Sequence, residues 1–366
     1  RSDQSAAEVE AHHRHDAIVP IAMQFNVDPD ISRARTPDAR FYLDHDVFAA
    51  VRERVFARSW QWIGALADVA APGSLSPRLM TPGLLDEPLL LSRDAGGTLR
   101  CLPNVCTHRG HQLVDVPCHR GDIRCPYHSR RFDLAGRMTF TPGFDDTPDF
   151  PSDSDHLRAL PFGEFGGHGF ASLDPAIPLD DLLTPVRAHL PHLALDSYAH
   201  DPSRDRDFGF DAHWALYVEN YLEGLHIPFL HAGLMQNLDW QQYRYELHLH
   251  GNLQLGLDGQ GGIAAHYFWL FPNLMLNFYP WGLSVNQVLP LAPERTRVIF
   301  RSYVARPELL GQGAGAALDM VEMEDEAAVQ SVQRGIRSRA WRGGRYSPQH
   351  ERGVHQFHRM LAQALA

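Results

Sequence analysis

Cys106-Thr107-His108 is followed sixteen residues later by Cys125-Pro126-Tyr127-His128. Two thiols and two imidazoles thus arrive as two Cys/His pairs. In extended chain, residues two apart point the same way, so Cys106 and His108 can reach one object together. Pro126 keeps the second pair in a non-helical loop. Thiolate suits zinc and iron–sulfur chemistry, and imidazole suits zinc or iron. A structural zinc site would use the same four donors, but zinc fingers usually bring two Cys first and two His later. The interleaved order is what a [2Fe–2S] cluster wants when one iron takes both thiolates and the other both imidazoles.

A second stretch reads Glu219-Asn220-Tyr221-Leu222-Glu223-Gly224-Leu225-His226-Ile227-Pro228-Phe229-Leu230-His231. Residues three apart share a helix face, which aligns Asn220, Glu223 and His226. His231 lies about 140° round an unbroken helix from His226. Pro228 disfavours helix at Ile227, so the spacing predicts a helix that ends or kinks there and lets His231 swing back. Two imidazoles and a carboxylate on one face of Fe(II) leave positions open for O2 and substrate. The carboxylate must come from elsewhere. Asp319, Glu322, Glu324, Asp325 and Glu326, in an acidic helix after Ala316, are the candidates, and spacing does not choose among them. With 22 His in the chain, a chance pair is the competing reading.

Together these motifs, in this order, resemble the Rieske non-haem iron oxygenases, specifically the alpha (oxygenase) subunit of the ring-hydroxylating dioxygenase or quaternary-amine monooxygenase type. Rieske proteins of the respiratory chain carry an extra Cys in each loop, and neither loop has one here. The resemblance implies a Rieske [2Fe–2S] cluster on Cys106, His108, Cys125 and His128, and a mononuclear Fe(II) on His226, His231 and Asp325. Asp325 is the position that matches in Glu324-Asp325-Glu326-Ala-Ala-Val-Gln330-Ser-Val-Gln333-Arg334-Gly335. It implies a homotrimer in which the cluster of one chain feeds the iron of its neighbour across Glu223, with Asn220 as a further catalytic position. Many members have Asp where this chain has Glu223.

Two departures stand out. Ser129-Arg130 replaces the Gly-Trp common after the second His, and His213-Trp214-Ala215 replaces Asn-Trp-Lys. Ser129 is expected to hydrogen-bond near the cluster, and Arg130 and Arg131 to form a docking surface for an acidic partner. His213 is not assigned as a ligand.

The elements that position these residues suggest an α+β protein. Residues 1–58 read as an N-terminal arm and helix. The arm covers residues 1–40 and lies on the surface, and the helix is capped by Asp44 or Asp46. Residues 59–173 alternate short apolar runs with Gly and Pro, including Leu89–Leu91, Leu99–Leu102 and Phe132–Leu134, which predicts a small β domain around the cluster loops. Residues 174–366 form the catalytic domain. A connector (174–205) carries a short helix near Asp180–His189. Alternating polar and apolar residues over 240–305 predict antiparallel sheet. The resemblance implies a helix-grip arrangement, a curved antiparallel sheet with helices packed over it. Val354, Phe357, Leu361 and Leu365 mark the buried side of a final helix over 348–366. Tyr221, Phe268, Trp269, Phe278, Tyr279 and Trp281 are core or pocket aromatics, able to face an aromatic ring or a quaternary ammonium alike.

Composition excludes some partners. There are 33 basic and 44 acidic side chains, a formal charge of −11, which argues against nucleic acid. Ala264–Pro293 is uncharged and long enough to span a bilayer. Pro272, Asn273, Asn277, Pro280, Gly282 and Asn286 break it into strands instead, so no membrane partner is expected. No basic stretch followed by an apolar run marks a signal peptide, and Cys101 and Cys118 are expected as free thiols, which suggests the cytoplasm. His12, His13 and His15 read as part of a solvated terminus. Gly311-Gln-Gly313-Ala-Gly315-Ala316 fits a loose dinucleotide fingerprint. It lacks the following acid and any surrounding βαβ unit, so an NAD(P)H-dependent reductase or ferredoxin must supply the electrons.

The expected function is an oxygenase component that uses those electrons and O2 to hydroxylate an aromatic or related small organic substrate. Hydroxylation or oxidative demethylation of an N-methylated or quaternary amine is the alternative. A Rieske electron carrier with a ligand-binding domain and a zinc-stabilised binding protein are readings from other classes.

Overall fold

The computed structural model describes residues 25–231, 244–258, 260–312 and 318–366. The His12–His15 cluster and most of the Gly311–Ala316 stretch lie outside them.

Two short helices open the chain, α1 (Ala39–Leu43) and α2 (His45–Val51), the latter continued by a π-turn over Arg52–Phe56. Asp44 caps α2, accepting from the backbone of Asp46 and Val47. The segment before α1 is not a surface arm throughout. Val27 and Ala34 are buried in the same core as Phe41 and Tyr42, and the Asp28 carbonyl bonds His355 at 2.7 Å. Apolar residues scattered among the polar ones anchor this segment.

Three small antiparallel sheets follow. Strands β2 (Ser74–Met80), β3 (Glu87–Arg93), β4 (Leu99–Pro103) and β5 (Cys118–His119) form one sheet in the order β4-β3-β2-β5. Strands β6 (Ile123–Arg124), β7 (Arg131–Phe132) and β8 (Met138–Phe140) form the next. The third joins β1 (Gln61–Ala65), β10 (His168–Ala171) and β9 (Phe162–Phe165). The expected strand runs around Leu89, Leu99 and Phe132 are therefore present.

Helix α3 (Leu179–His189) and strands β11 (Ala199–His200) and β12 (Arg206–Phe210) lead to α4 (Trp214–Tyr221) and α5 (Ile227–Leu230). An eight-stranded antiparallel sheet is completed by β13 (Arg244–His248), β14 (Gly251–Leu257), β15 (Ile263–Leu270), β16 (Leu274–Tyr279), β17 (Gly282–Ala292) and β18 (Arg295–Val304). β13 ends one edge. Helices α6 (Leu318–Ile336) and α7 (Arg352–Leu365) finish the chain. Val354, Phe357, Leu361 and Leu365 are all buried on α7.

The uncharged stretch Ala264–Pro293 lies in strands β15 to β17, and no helix among the described residues is long and apolar enough to cross a membrane. Its residues alternate between two apolar layers. Phe268, Leu276, Phe278, Leu283 and Val285 face α3 and the tryptophans Trp60 and Trp62. Trp269, Met275 and Val288 face the opposite way, packing with α4 and α7. Burial on both faces explains why the strands carry no charge.

Candidate metal centres and active site

The two Cys/His loops are folded by their own backbones. Cys106 N–H donates to the His111 carbonyl at 2.8 Å, and Gly110 N–H to the Cys106 carbonyl at 3.0 Å. Gly110 has φ +71°, where a side chain is disfavoured. In the second loop, Cys125 N–H donates to Arg130 at 2.8 Å and Ser129 N–H to Cys125 at 3.1 Å. Cys106 and Cys125 are 3% and 1% exposed, in an apolar cluster with Leu75, Leu102 and Phe132. His108 and His128 are half-buried, their ring centroids 4.8 Å apart. Burial pushes the Cys106 thiol up. The His108 backbone N–H opposes this and the neighbouring Cys125 thiol adds to it.

Thiols inside and imidazoles outward suit a two-iron cluster with one iron of each ligand type. A single zinc would require all four donors to converge. Among the described residues, donor groups whose ligating atoms all lie within 4.8 Å of one another occur elsewhere, and this four is not one of them.

The departures at Ser129 and Arg130 acquire a structural account. Ser129 adopts φ +61°, a conformation glycine takes without strain. Its hydroxyl accepts from Arg124 at 3.0 Å. Arg130 is not a docking residue. It is 2% exposed, bonds Thr107 at 2.9 Å, pairs with Asp155 at 3.5 Å, and lies over the rings of Phe144 and Phe150. Arg131 is exposed.

At the second stretch, the helix breaks earlier than Pro228 predicts. α4 stops at Tyr221, and Leu222 closes it with its N–H on the Val218 and Glu219 carbonyls. Asn220 is thus on the helix, while Glu223 and His226 lie in the loop beyond it. Pro228 opens α5 instead, in a first turn that has no use for its missing N–H. The outcome expected of the break nonetheless holds, because His231 comes back beside His226 with ring centroids 5.1 Å apart.

Asp325 of α6 completes the group. Its Oδ1 is 3.0 Å from His231 Nε2 and 3.6 Å from His226 Nε2. All three ligating atoms lie within 4.8 Å of one another. Each ring's other nitrogen bonds a carboxylate, His226 Nδ1 to Glu223 at 2.5 Å and His231 Nδ1 to Glu324 at 2.7 Å. A carboxylate behind each imidazole fixes the tautomer that offers Nε2 to a metal. Asn220 donates to Asp325 Oδ1 at 2.7 Å and links α4 to α6. Glu223 also accepts from the backbone of Leu225 and, at 3.2 Å, of His226. The donor set fits a mononuclear Fe(II).

Two of the other candidate carboxylates make different contacts. Asp319 pairs with Arg206, and Glu322 accepts from the Tyr217 hydroxyl at 2.7 Å. His213 is a cap rather than a ligand. It is fully buried, accepts from the Ala215 N–H at 3.2 Å, and burial lowers it to about 3.

A cavity of about 130 Å³ opens onto the three groups. Its walls include Tyr217, Tyr221, Tyr267, Tyr279, Phe300 and Glu322. Of the six aromatics singled out in the sequence, Tyr221 and Tyr279 line this cavity, while Phe268, Trp269, Phe278 and Trp281 are buried. Tyr217, Tyr267, Phe300 and the wall role of Glu322 were missed. Tyr267 shares a sheet face with Tyr279, but that alternation marks a face without saying that it lines a cavity.

A β domain with a Cys/His loop pair, joined to a helix-covered antiparallel sheet holding two histidines and an aspartate, is the organisation of a Rieske oxygenase catalytic subunit. Residues 59–151 match the Rieske [2Fe-2S] domain family, and residues 250–366 match the ring hydroxylating alpha subunit (catalytic domain). The carnitine monooxygenase oxygenase subunit of Escherichia coli K12 is 31% identical over 356 residues, covering 90% of this chain and 94% of that protein. The chloroplastic choline monooxygenase of Arabidopsis thaliana is 28% identical, covering 94% and 86%. The quaternary ammonium Rieske monooxygenase CntA, solved with L-carnitine, superposes with TM-score 0.76 at 27% identity over 93% of this chain and 97% of that one. Naphthalene 1,2-dioxygenase shares the fold, with TM-score 0.69 at 16% identity over 91% of this chain and 92% of that one. The chain belongs to the Rieske non-haem iron oxygenases as an alpha subunit, an oxidoreductase whose family carries a [2Fe–2S] cluster and a non-haem iron.

Proposed function

We propose that this subunit hydroxylates a small N-methylated or quaternary amine, in a homotrimer supplied with electrons by an NAD(P)H-dependent reductase or a ferredoxin. When bound, the cluster supplies single electrons and the mononuclear iron supplies the O2 chemistry. His226, His231 and Asp325 would hold that iron, with Glu223 and Glu324 orienting the imidazoles. Cys106, His108, Cys125 and His128 would hold the cluster.

One observation carries the substrate class. The cavity beside the iron ligands is walled by aromatic rings and one buried carboxylate with an oxygen to spare. Glu322 is 6% exposed. Its Oε2 accepts from Tyr217, and its Oε1 is buried with no hydrogen-bond partner among the described residues. Burial pushes its carboxyl well above the usual carboxylate range, with Asp325 and Glu326 adding to this and the Tyr217 hydroxyl opposing it. An alkylammonium head meets both needs, since ring faces attract it and its charge would compensate the carboxylate. A flat hydrocarbon ring would leave Glu322 Oε1 without a partner. The amine relatives point the same way, so the aromatic substrate that led the sequence reading has less support than its alternative.

Reductase-driven O2 consumption decides the matter. Choline, carnitine and other methylated amines are compared with aromatic acids, and products are identified by mass spectrometry. Coupled oxidation of the amines is expected. Coupled turnover of aromatic acids alone would reject the proposal.

A further inference from the structure

A second cluster of metal-binding side chains lies on the face of the sheet away from the iron ligands. His189 ends α3, and Glu246 and His248 alternate along β13, so both project to one side. Glu246 is opposite Leu253, which is opposite Phe268, and these two apolar residues pack in the layer under α3. Gln254 and Tyr267, their neighbours in register, line the iron cavity on the other side. The two donor groups are therefore separated by the thickness of the sheet.

We propose that His189, Glu246 and His248 form a divalent transition-metal site, with Zn2+ the cation their chemistry suits best. One ligating atom from each lies within 4.8 Å of the other two. His189 Nε2 is 3.0 Å from Glu246 Oε2, and the two imidazole centroids are 5.9 Å apart, steeply inclined at 73°. Zinc bonds of about 2.0–2.2 Å in a tetrahedron place ligand atoms roughly 3.3 Å apart, so a small closure of the third ligand completes the site. Two imidazoles and one carboxylate are an established zinc donor set, with a fourth position left for water.

An ordinary His189–Glu246 ion pair explains only part of this arrangement. His248 Nε2 is buried with no hydrogen-bond partner among the described residues, which is costly for a polar atom that nothing satisfies. Its strand is already held in place, since Gln356 of α7 donates to the His248 carbonyl. A cation here would join the end of α3 to β13, which among the described residues is the edge strand of the sheet, and so brace that edge.

The test uses the full-length, iron-loaded protein dialysed against Zn2+ alone, with zinc and iron measured together by mass spectrometry. About one zinc per chain is expected beyond the iron content. Iron and the visible cluster spectrum should be unchanged, and the zinc-edge absorption should show nitrogen and oxygen neighbours without sulfur. His248→Ala should weaken zinc binding by roughly tenfold or more. Glu246 is 42% exposed, so Glu246→Gln is the variant that keeps the fold and should weaken binding as well. Zinc should raise the melting temperature of the wild type and not of either variant. Three results would each overturn the site. They are no zinc uptake, zinc gained in step with iron lost, and uptake that Glu246→Gln leaves unchanged.

Discussion

Replacing Glu322 by Gln keeps the shape of the wall and an oxygen for the Tyr217 hydroxyl, and removes only the capacity for charge. A cation and a carboxylate about 4 Å apart attract by about 4 kcal/mol at an effective dielectric of 20. Part of that is offset, because burial favours the neutral carboxyl of Glu322. Ionising it costs about 1.4 kcal/mol for each unit by which its pKa exceeds the working pH. The net loss on substitution is set by the ordinary worth of a hydrogen bond to a charged group, about 1.5–3 kcal/mol, or roughly tenfold to a hundredfold in kcat/KM. It should appear in KM, because the ammonium charge is the same before and during reaction. The assay compares a quaternary amine with its neutral isostere, in which carbon replaces nitrogen. The amine should lose affinity and the isostere should not. Equal losses for amine and isostere would refute the reasoning, as would an amine KM that does not move.

Other perturbations test separate parts of the account. Glu223→Gln should retain both metals yet block turnover, and a pre-reduced variant that completes a single turnover at the wild-type rate would dismiss a bridging role. Ser129→Gly relieves a positive φ and should stabilise the protein by up to about 1 kcal/mol, less whatever the Arg124 contact contributes, as read from chemical denaturation. His168, which accepts from Trp62 Nε1 at 3.1 Å, is lowered by burial, then by His200, to about 4. Its folded pKa lies below its unfolded value of about 6.5, so its contribution is fully present above pH 6.5 and fades as pH falls toward 4. Stability should drop by up to about 1.4 kcal/mol per pH unit across that window, and His168→Gln should flatten the drop.

The metal chemistry was legible in the sequence because it depends on residue type and short spacing. Cys106, His108, Cys125 and His128 lie in two tight loops, and His226 and His231 are separated by only four residues. The third iron position could not be read from spacing, since five carboxylates crowd one acidic helix. It is decided by tertiary contact, with Asp325 alone reaching both Nε2 atoms while Glu324 turns to the back of His231. The helix break was misplaced for a local reason. Pro228 has the residue type of a terminator, yet proline is equally at home in the first turn of a helix, and the chain leaves α4 at Leu222. Arg130 was read as exposed because arginines usually are. Its burial depends on Thr107, Asp155 and two phenylalanines that sequence does not bring together. The wall of the cavity stayed hidden because strands apolar on both faces do not announce which face holds a ligand.

On this reading each chain holds two distinct iron stations, a sulfide-bridged pair and a lone ion. Iron and acid-labile sulfide counted on anaerobically reconstituted protein, alongside Asp325→Ala, test it most directly. The account predicts about three irons and about two sulfides per wild-type chain, with Asp325→Ala losing about one iron and no sulfide. Absence of labile sulfide, or an iron content that Asp325→Ala leaves untouched, would contradict it.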